Sequence, residues 1–388
     1  MRFIHTADWH LGRLMYGVHL TEDQAHVLGQ ILELVKDAKP DAFLVTGDVY
    51  DRALPPPDAV VLLDEFLSEM VIDLGVPVIM IAGNHDSACR LEFGSRVLAE
   101  QGLHVSGSVG SDVVRVTLFD HAGPVHFYAL PYAEPSLVRE RFSCDTISDH
   151  EGAVRALTDR VRLVHPRGER SVLLAHAFVA GGRETESERP LSVGGADKVD
   201  CSCFEGFDYV ALGHLHRPQS AGKPQILYAG SLLKYSFSEV DHRKTVNLVE
   251  MDARGGCQIE RIPLTPRRDV RRIEGYLKEI LNGPEPGENP EDYLMVTLLD
   301  TGAILDAVGK LREVYPNVLH IERPGLAFGS NPARGGIDRR KLNDAALFAD
   351  FFSEVTGSDL SGEEAAAYEF IVDDLRRCDR EAGAHEAS

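Results

Sequence analysis

Two short polar stretches, each placed directly after an apolar run, constrain the fold of this chain most strongly. Gly83–Asp86 (GNHD) follows the apolar residues 76–81, and Gly213–His216 (GHLH) follows residues 207–212. A short apolar run bounded by glycine is typical of a buried strand, so both stretches are expected at the carboxyl ends of strands. In open α/β sheets that edge is where ligands bind. The pattern therefore predicts an α/β fold with a polar site at one sheet edge.

Other predicted strand ends carry the same kinds of side chain. Asp8 and His10 follow the first strand, Asp48 follows the second, and His176 ends a later one. Each alone is explained by a turn, a cap or a buried histidine, but five strand ends with oxygen or imidazole donors favour a metal centre. Mixed donors of this kind suit Mn²⁺, Fe²⁺ or Zn²⁺ in a two-metal site that Asp48 would bridge. The predicted ligands are Asp8, His10, Asp48, Asn84, His176, His214 and His216.

The composition limits the classes of function. The chain has 388 residues, 44% of them hydrophobic, and a formal net charge of −21, which indicates two or three globular domains. So acidic a chain is not a simple electrostatic nucleic-acid binder, and a polyanionic substrate would require divalent ions to overcome the repulsion locally. No apolar run is long enough for a membrane helix, and the six cysteines lack framework spacing. We therefore expect a cytoplasmic protein with reduced thiols and no membrane contact.

The periodicity divides the chain into parts. The first part alternates strands and helices, and one of the helices begins with the capping-box pattern of Thr21 and Gln24. From about residue 104 the pattern changes to short strands, which predict a second sheet. The next part predicts helices over 270–281 and 304–314, with strands between and after them. The predicted domains are 1–266 (the main domain), 267–328 (a small α/β unit), 329–340 (a linker) and 341–388 (a helical tail).

The tail has features of a docking segment. It holds twelve acidic and four basic residues, a second capping box at Ser361 and Glu364, and apolar stripes on its predicted helices. Such faces should dock either on a partner or on the protein's own core. No G-x-x-x-x-G-K-[ST] sequence is present, so the use of ATP would also require a partner. The predicted partner-binding residues are Phe348, Phe352, Tyr368, Ile371 and Leu375.

The ordered set Asp8-x-His10, Gly47-Asp48, Gly83–Asp86, His176 and Gly213-His214-x-His216 resembles the signature of the calcineurin-like metallophosphoesterases over residues 2–230. The resemblance implies a β-sandwich of two mixed sheets flanked by helices. It implies that one ion binds Asp8, His10 and His216, that the other binds Asn84, His176 and His214, and that Asp48 bridges them. A metal-bound hydroxide would attack the phosphodiester. His85, oriented by Asp86, would face the phosphate and stabilise the transition state or protonate the leaving oxygen.

Longer stretches are similar to the DNA-repair nucleases of this family, and the similarity covers nearly the whole chain. They are residues 3–12 (FIHTADWHLG) and 47–51 (GDVYD). This similarity implies a Mn²⁺-dependent nuclease that cuts double-stranded ends as an exonuclease and single-stranded or hairpin DNA as an endonuclease. It also implies a homodimer, a capping role in DNA binding for the small α/β unit, and an ATPase whose coiled-coil base binds the C-terminal helices. Some relatives place a second catalytic histidine shortly after the bridging aspartate, where this chain reads Tyr50-Asp51-Arg52, so Asp51 would replace that histidine only in part.

Several alternatives remain open from the sequence. The chain could be a phosphodiesterase for nucleotides or other small molecules, or a non-catalytic adaptor with a structural metal site. The apolar residues of the helix predicted over 58–70 fit dimerisation and core packing equally well. Four arginines follow metal motifs closely and are predicted to contact DNA phosphates, although arginines are also common in solvated loops. They are Arg13, Arg52, Arg90 and Arg217.

Overall fold

The computed structural model describes residues 1–110, 112–188, 198–302 and 304–324, and within the C-terminal region residues 345, 348–349, 352, 359–362, 364–368 and 371–372. The chain divides into two compact units, Met1–Arg271 and Arg272–Ser388. The linker predicted over 329–340 lies outside the described residues, as does much of the predicted tail.

The described residues of the two units form β-strands that helices and loops connect. The strands are β1 (Arg2–Thr6), β2 (Leu14–Met15), β3 (Val18–His19), β4 (Ala42–Thr46), β5 (Val78–Ile81), β6 (Leu103–Ser106), β7 (Val114–Asp120), β8 (Gly123–Leu130), β9 (Arg170–His176), β10 (Phe178–Val179), β11 (Lys198–Val199), β12 (Tyr209–Gly213), β13 (Gln219–Ala221), β14 (Lys223–Tyr228), β15 (Thr245–Met251), β16 (Cys257–Pro263), β17 (Val270–Gly275), β18 (Tyr293–Leu298) and β19 (Val318–Glu322). The α-helices are α1 (Thr21–Ala38), α2 (Pro57–Ser68), α3 (Ala88–Leu91), α4 (Ser95–Leu98), α5 (Pro135–Phe142), α6 (His150–Val164), α7 (Leu277–Ile280) and α8 (Ala307–Arg312). A π-helix, Glu69–Asp73, continues α2, and 3₁₀ turns lie at Ala99–Gln101, Cys201–Phe204 and Phe237–Glu239. Among the described residues, no helix combines the length and apolar character that crossing a membrane demands.

The first unit is a sandwich of two six-stranded sheets. Their strand orders are β16-β15-β1-β4-β5-β6 and β13-β14-β12-β9-β8-β7. Four neighbouring strands run parallel in each sheet, and the outer strands β15, β16, β13 and β7 pair antiparallel. The predicted sandwich of two mixed sheets is therefore confirmed.

The inner faces of the two sheets form a shared apolar core. The ring of Phe3 in β1 lies 5.8 Å from that of Phe127 in β8 and 5.3 Å from that of Tyr209 in β12, both edge to face. All three side chains are fully buried, and each contributes about 1.5–3 kcal/mol by leaving water. The central strands are buried on both faces, which explains why they read as continuous apolar runs rather than as alternating ones.

Helices cover the outer faces of the sandwich. Phe66 of α2 packs edge-on against Trp9, with ring centroids 5.1 Å apart. On the second sheet, α6 buries Leu157 and Val161, and its first turn is capped by Asp149, whose carboxylate accepts the Gly152 N–H at 2.8 Å. The packed sandwich thus supports the loops that leave its strand ends.

The second unit corrects one predicted element. The helix predicted over 270–281 is instead strand β17 followed by the single-turn helix α7. The burial of Val270–Gly275 alternates along the chain, which is the period of a strand in a sheet with one solvent-exposed face. β17, β18 and β19 form a three-stranded sheet whose core includes Leu294, Val296 and Leu311.

Candidate metal centre

The two sheets bring five strand ends to a common edge. Thr6 of β1 pairs with Val45 of β4, and Thr46 pairs with Ile81 of β5, so these three strands end together. In the second sheet, Gly213 of β12 pairs with His176 of β9. The polar residues that follow each strand therefore lie around one site, as the sequence predicts.

Glycines in these motifs allow the loops of the two sheets to approach closely. A Cβ atom on Gly213 would lie 1.9 Å from the Thr46 carbonyl oxygen, and one on Gly83 would lie 2.2 Å from the Asp48 Oδ1 atom. Any side chain at these positions would force the backbone apart. The glycine that precedes each polar group is thus a steric requirement of the site.

Four of the predicted ligands have left-handed backbone conformations. The φ angles are +52° for Asp8, +47° for His10, +49° for Asp48 and +108° for His214. Such conformations cost non-glycine residues about 1–3 kcal/mol each and cluster at functional sites. The loop that holds Asp8 and His10 is secured by Gln24 of α1, whose amide donates to the carbonyl oxygens of Trp9 and His10 at 3.1 and 2.8 Å.

All seven predicted ligands meet in one cluster. Two groups of potential ligand atoms, Asp8/His10/Asp48 and Asp48/His176/His214, each lie within 4.8 Å of one another and share Asp48. The remaining two ligands extend these groups. Asn84 Oδ1 lies 2.9 Å from His176 Nε2, and His216 Nε2 lies 3.0 Å from His10 Nε2. Asp48 thus occupies the position expected of a bridging ligand.

The orientation of the donors fits divalent cations. His176 Nδ1 donates to the Thr46 carbonyl at 2.9 Å, so Nε2 is the ring atom that faces the Asn84 oxygen. Among the described residues, the buried Asp8 Oδ2 atom has no hydrogen-bond partner. Lone pairs that converge in a buried site are stabilised by a cation. Carboxylate, amide and imidazole donors match the mixed set that the sequence predicts.

The pKa values of the cluster agree with this interpretation. Burial lowers the pKa of His10 to about 4, so its ring is neutral near pH 7 and has a lone pair available. Burial also opposes protonation of His176, but the carboxylates of Asp48 and Asp8 raise its pKa to about 9. A metal ion beside His176 would therefore displace a proton as it bound.

His85 lies beside the cluster, and one of its ring nitrogens is engaged in a hydrogen bond. Its Nδ1 donates to the Asp51 carbonyl oxygen at 2.8 Å, and its backbone N–H donates to Asp48 Oδ1 at 2.9 Å. The ring lies edge to face with that of His10, at a centroid distance of 4.7 Å. Nε2 is consequently the ring atom available to a substrate.

The contacts of Asp86 differ from those predicted. Its carboxylate accepts the backbone N–H groups of Gly83, Val49 and Tyr50 at 2.9–3.1 Å. It therefore ties the loop after β5 to the loop after β4, and the His85 ring is oriented by the Asp51 carbonyl instead. An aspartate that accepts backbone amides of its own turn is a local pattern that the sequence could have suggested.

The four predicted phosphate-contacting arginines differ in environment. Arg13 Nη1 donates to Asp51 at 2.8 Å, and its guanidinium lies 5.6 Å from the centre of the Tyr235 ring. Its charge is thus largely paired. Arg52 and Arg90 are exposed and Arg217 is half-buried, and no carboxylate of the described residues forms an ion pair with these three.

The described part of the tail brings together aromatic residues of its two predicted helices. The rings of Phe348 and Tyr368 stack with centroids 4.1 Å apart and planes 9° apart, and Phe352 lies 6.3 Å from Phe348. Ile371 is exposed. Leu375, the fifth predicted partner-binding residue, lies outside the described residues.

Comparison with known proteins extends these observations. The sequence model described as calcineurin-like phosphoesterase matches residues 1–218, and the one described as type 5 capsule protein repressor C-terminal domain matches residues 266–356. Two solved structures match at 14% identity. They are protein TT1561 of Thermus thermophilus (67% of this chain, 98% of that chain, TM-score 0.39) and a dimetal phosphatase from Danio rerio (69%, 99%, TM-score 0.41). TM-scores this low do not support a conclusion about the fold or the function.

The matched family model spans more than half of the chain, and the chain belongs to the calcineurin-like phosphoesterase family. One relative is similar to almost the whole chain. The D subunit of the nuclease SbcCD from Staphylococcus saprophyticus subsp. saprophyticus is 33% identical over 372 residues, which cover 96% of this chain and 98% of the relative.

Proposed function

We propose that this chain is a metal-dependent DNA nuclease that acts as a double-strand exonuclease and a single-strand or hairpin endonuclease. The main observation is the convergence of seven donor residues on one sheet edge, with Asp48 common to two ligand groups. Similarity to the D subunit of the nuclease SbcCD along almost the whole chain supports DNA as the substrate. One ion would be held by Asp8, His10 and His216, the other by Asn84, His176 and His214, with Asp48 between them.

Mn²⁺ is the proposed metal because the similarity to the DNA-repair nucleases implies it, and it is one of the ions that mixed oxygen and imidazole donors suit. Two bound ions would neutralise phosphate charge and lower the pKa of a coordinated water. Since His85 Nδ1 donates to the Asp51 carbonyl at 2.8 Å, a protonated His85 would use Nε2 to donate to the leaving oxygen. Loss of such a group costs about 10²–10⁴-fold in rate.

Contacts to DNA phosphates are proposed for Arg52, Arg90 and Arg217. These side chains follow the metal motifs in sequence, and no ion pair with the described carboxylates neutralises them. Arg13 is a weaker candidate because Asp51 accepts its hydrogen bond at 2.8 Å. We assign Arg13 the role of holding Asp51 beside His10 and His85.

We further propose a homodimer formed by α2, the π-helix Glu69–Asp73 and the short helices that follow β5. These elements and the turn between the two short helices expose large apolar side chains, with Ile72 75%, Phe93 84% and Val97 74% accessible. A groove of about 280 Å³ lies between them, lined by Val60, Leu67 and Val71 among others. Apolar surface of this kind marks interfaces on soluble proteins. Sedimentation should detect a dimer for the wild type and a monomer for Ile72→Glu. Leu163→Glu, which alters a leucine on α6 that is at least as exposed as Ile72, should remain dimeric.

The C-terminal helices are proposed to bind an ATPase partner through its coiled-coil base. Stacking of Phe348 on Tyr368 supports a shared aromatic face of the two helical pieces, and the lack of a phosphate-binding loop in this sequence leaves ATP use to a partner protein. The small α/β unit is proposed to help hold DNA, in the manner of a capping domain.

The experiment that tests the nuclease proposal compares the wild type with His85→Gln. Mn²⁺-dependent cleavage of end-labelled linear and hairpin DNA is expected for the wild type and not for the variant, which should still bind Mn²⁺. If the wild type, with the ATPase partner present, leaves DNA intact but hydrolyses a small phosphodiester, the phosphodiesterase alternative is correct. If neither substrate is cleaved, the chain is an adaptor with a structural metal site.

A further inference from the structure

A buried group of charged and polar side chains lies behind His216 and has no place in the proposed chemistry. Glu239, Lys244 and Ser187 are all buried, although they come from a 3₁₀ turn, a segment before β15 and the loop after β10. Removing a carboxylate and an ammonium from water costs several kcal/mol each before pairing. A buried ion pair such as Glu239–Lys244 is therefore expected to have a structural or functional role.

Lys244 holds both Glu239 and the backbone of His216. Its Nζ donates to Glu239 Oε2, to the His216 carbonyl oxygen at 2.8 Å and to Ser231 Oγ at 2.7 Å. All three ammonium protons therefore have acceptors. On the other side of the same peptide segment, Glu188 Oε1 accepts the His216 N–H at 2.8 Å. The main chain of His216 is thus fixed from two directions.

The hydrogen bonds also determine which nitrogen of the His216 ring carries the proton. Ser187 Oγ lies 2.8 Å from His216 Nδ1 and is hydrogen-bonded to Glu239 Oε1, which itself lies 3.2 Å from His216 Nδ1. An ionised carboxylate only accepts, so Ser187 donates its O–H to Glu239 and accepts from His216 Nδ1–H. The Nε2 lone pair consequently points toward His10 Nε2, 3.0 Å away.

We propose that Glu239, held by Lys244, is a positioning residue that keeps His216 in the Nδ1–H tautomer with Nε2 directed at a divalent cation. This inference rests on the proposed function, because it assigns Glu239 a role only if His216 binds metal. Loss of a carboxylate that orients a ligand histidine typically lowers metal affinity 10–100-fold. Neither Glu239 nor Lys244 is one of the proposed metal ligands.

The test measures Mn²⁺ binding to the full-length chain by calorimetry, without DNA. Glu239→Gln leaves Lys244 buried without its counter-charge and should lower the Tm, so the informative variant is Glu239→Gln combined with Lys244→Met. Removal of both charges should recover most of the lost Tm. Affinity at one of the two Mn²⁺ sites should nevertheless fall about 10–100-fold. Asp120→Asn, which breaks the ion pair of Asp120 with the buried Arg170, is the matched control and should lower the Tm with both affinities unchanged.

Wild-type affinity at both sites in the double variant would show that the ion pair only stabilises the fold and would overturn the proposal. If that variant does not fold, the tautomer of His216 in the Zn²⁺-loaded wild type decides, by NMR of ¹⁵N-labelled histidine. Nδ1–H supports the proposal and Nε2–H refutes it. A wild-type chain that binds no divalent ion would instead refute the proposed function itself, so the two failures are distinguishable.

Discussion

Gly213→Ala is the substitution whose effect follows most directly from the geometry. A Cβ atom at this position would lie 1.9 Å from the Thr46 carbonyl oxygen and 2.9 Å from His176 Nδ1. Ordinary contacts of a Cβ atom begin near 3.4 Å, so the ends of β12 and β4 would have to separate by about 1.5 Å. The backbone at Gly213 is not left-handed, so the expected defect is steric rather than conformational.

Two consequences are expected from that separation. Overpacking of this kind costs about 1–3 kcal/mol in the free energy of unfolding. The Thr46 carbonyl also accepts the His176 Nδ1 hydrogen bond at 2.9 Å, so His176 should be displaced from Asn84 and Asp48. A displacement near 1 Å in a catalytic group costs about 10²-fold in rate, and Mn²⁺ affinity should fall with it.

Urea unfolding in EDTA, Mn²⁺ calorimetry and hydrolysis of a small phosphodiester together measure these effects. Gly29→Ala is the matched control, because Gly29 lies within α1 and no atom would come within 4 Å of its Cβ. That variant should be at least as stable as the wild type, since alanine is the better helix former. Wild-type metal affinity and activity in Gly213→Ala would refute the steric account of the motif.

Two further predictions concern the sandwich itself. Burial lowers the pKa of His5 to about 3, so the folded state keeps this ring neutral while the unfolded state binds a proton below about pH 6.5. The contribution of the neutral His5 ring to the free energy of unfolding is therefore complete above pH 6.5. It is lost at up to about 1.4 kcal/mol per pH unit as the pH falls toward 3. Urea unfolding at several pH values should show that the free energy of unfolding of His5→Gln falls less steeply with decreasing pH than that of the wild type. An unchanged pH dependence would contradict the lowered pKa of His5. Phe66→Ala should lower the free energy of unfolding by about 3–5 kcal/mol. It should also shift the fluorescence emission of Trp9, the only tryptophan, to longer wavelength, because the two rings are 5.1 Å apart. Unaltered emission would argue against this packing.

The convergence of these polar residues could be predicted from the sequence because each follows a strand that the local pattern identifies. A buried parallel strand is a continuous apolar run, and the carboxyl edge of such a sheet collects whatever follows each run. Asp8, Asp48 and His176 are therefore found together, although up to 168 residues separate them. The capping box of Ser361 and Glu364 is likewise local, and its reciprocal hydrogen bonds form as predicted.

Residues that act through distant partners could not be predicted in this way. Gln24 matches a capping-box pattern, yet its side chain holds the loop of Trp9 and His10, and the box does not form. Glu239 and Lys244 have no motif, because their role depends on the fold bringing them behind His216. For β17, adjacent charged residues obscure the two-residue period that the sheet imposes.

The central claim is that the cluster around Asp48 is a metal centre at which His85 assists cleavage of DNA. The most direct test measures Mn²⁺-dependent cleavage of end-labelled linear and hairpin DNA, together with Mn²⁺ affinity, for the wild type and His85→Gln. The account predicts cleavage by the wild type, a loss of about 10²–10⁴-fold in rate in the variant, and equal Mn²⁺ affinity in both. Cleavage that proceeds equally well without His85, or that requires no divalent metal, would contradict it.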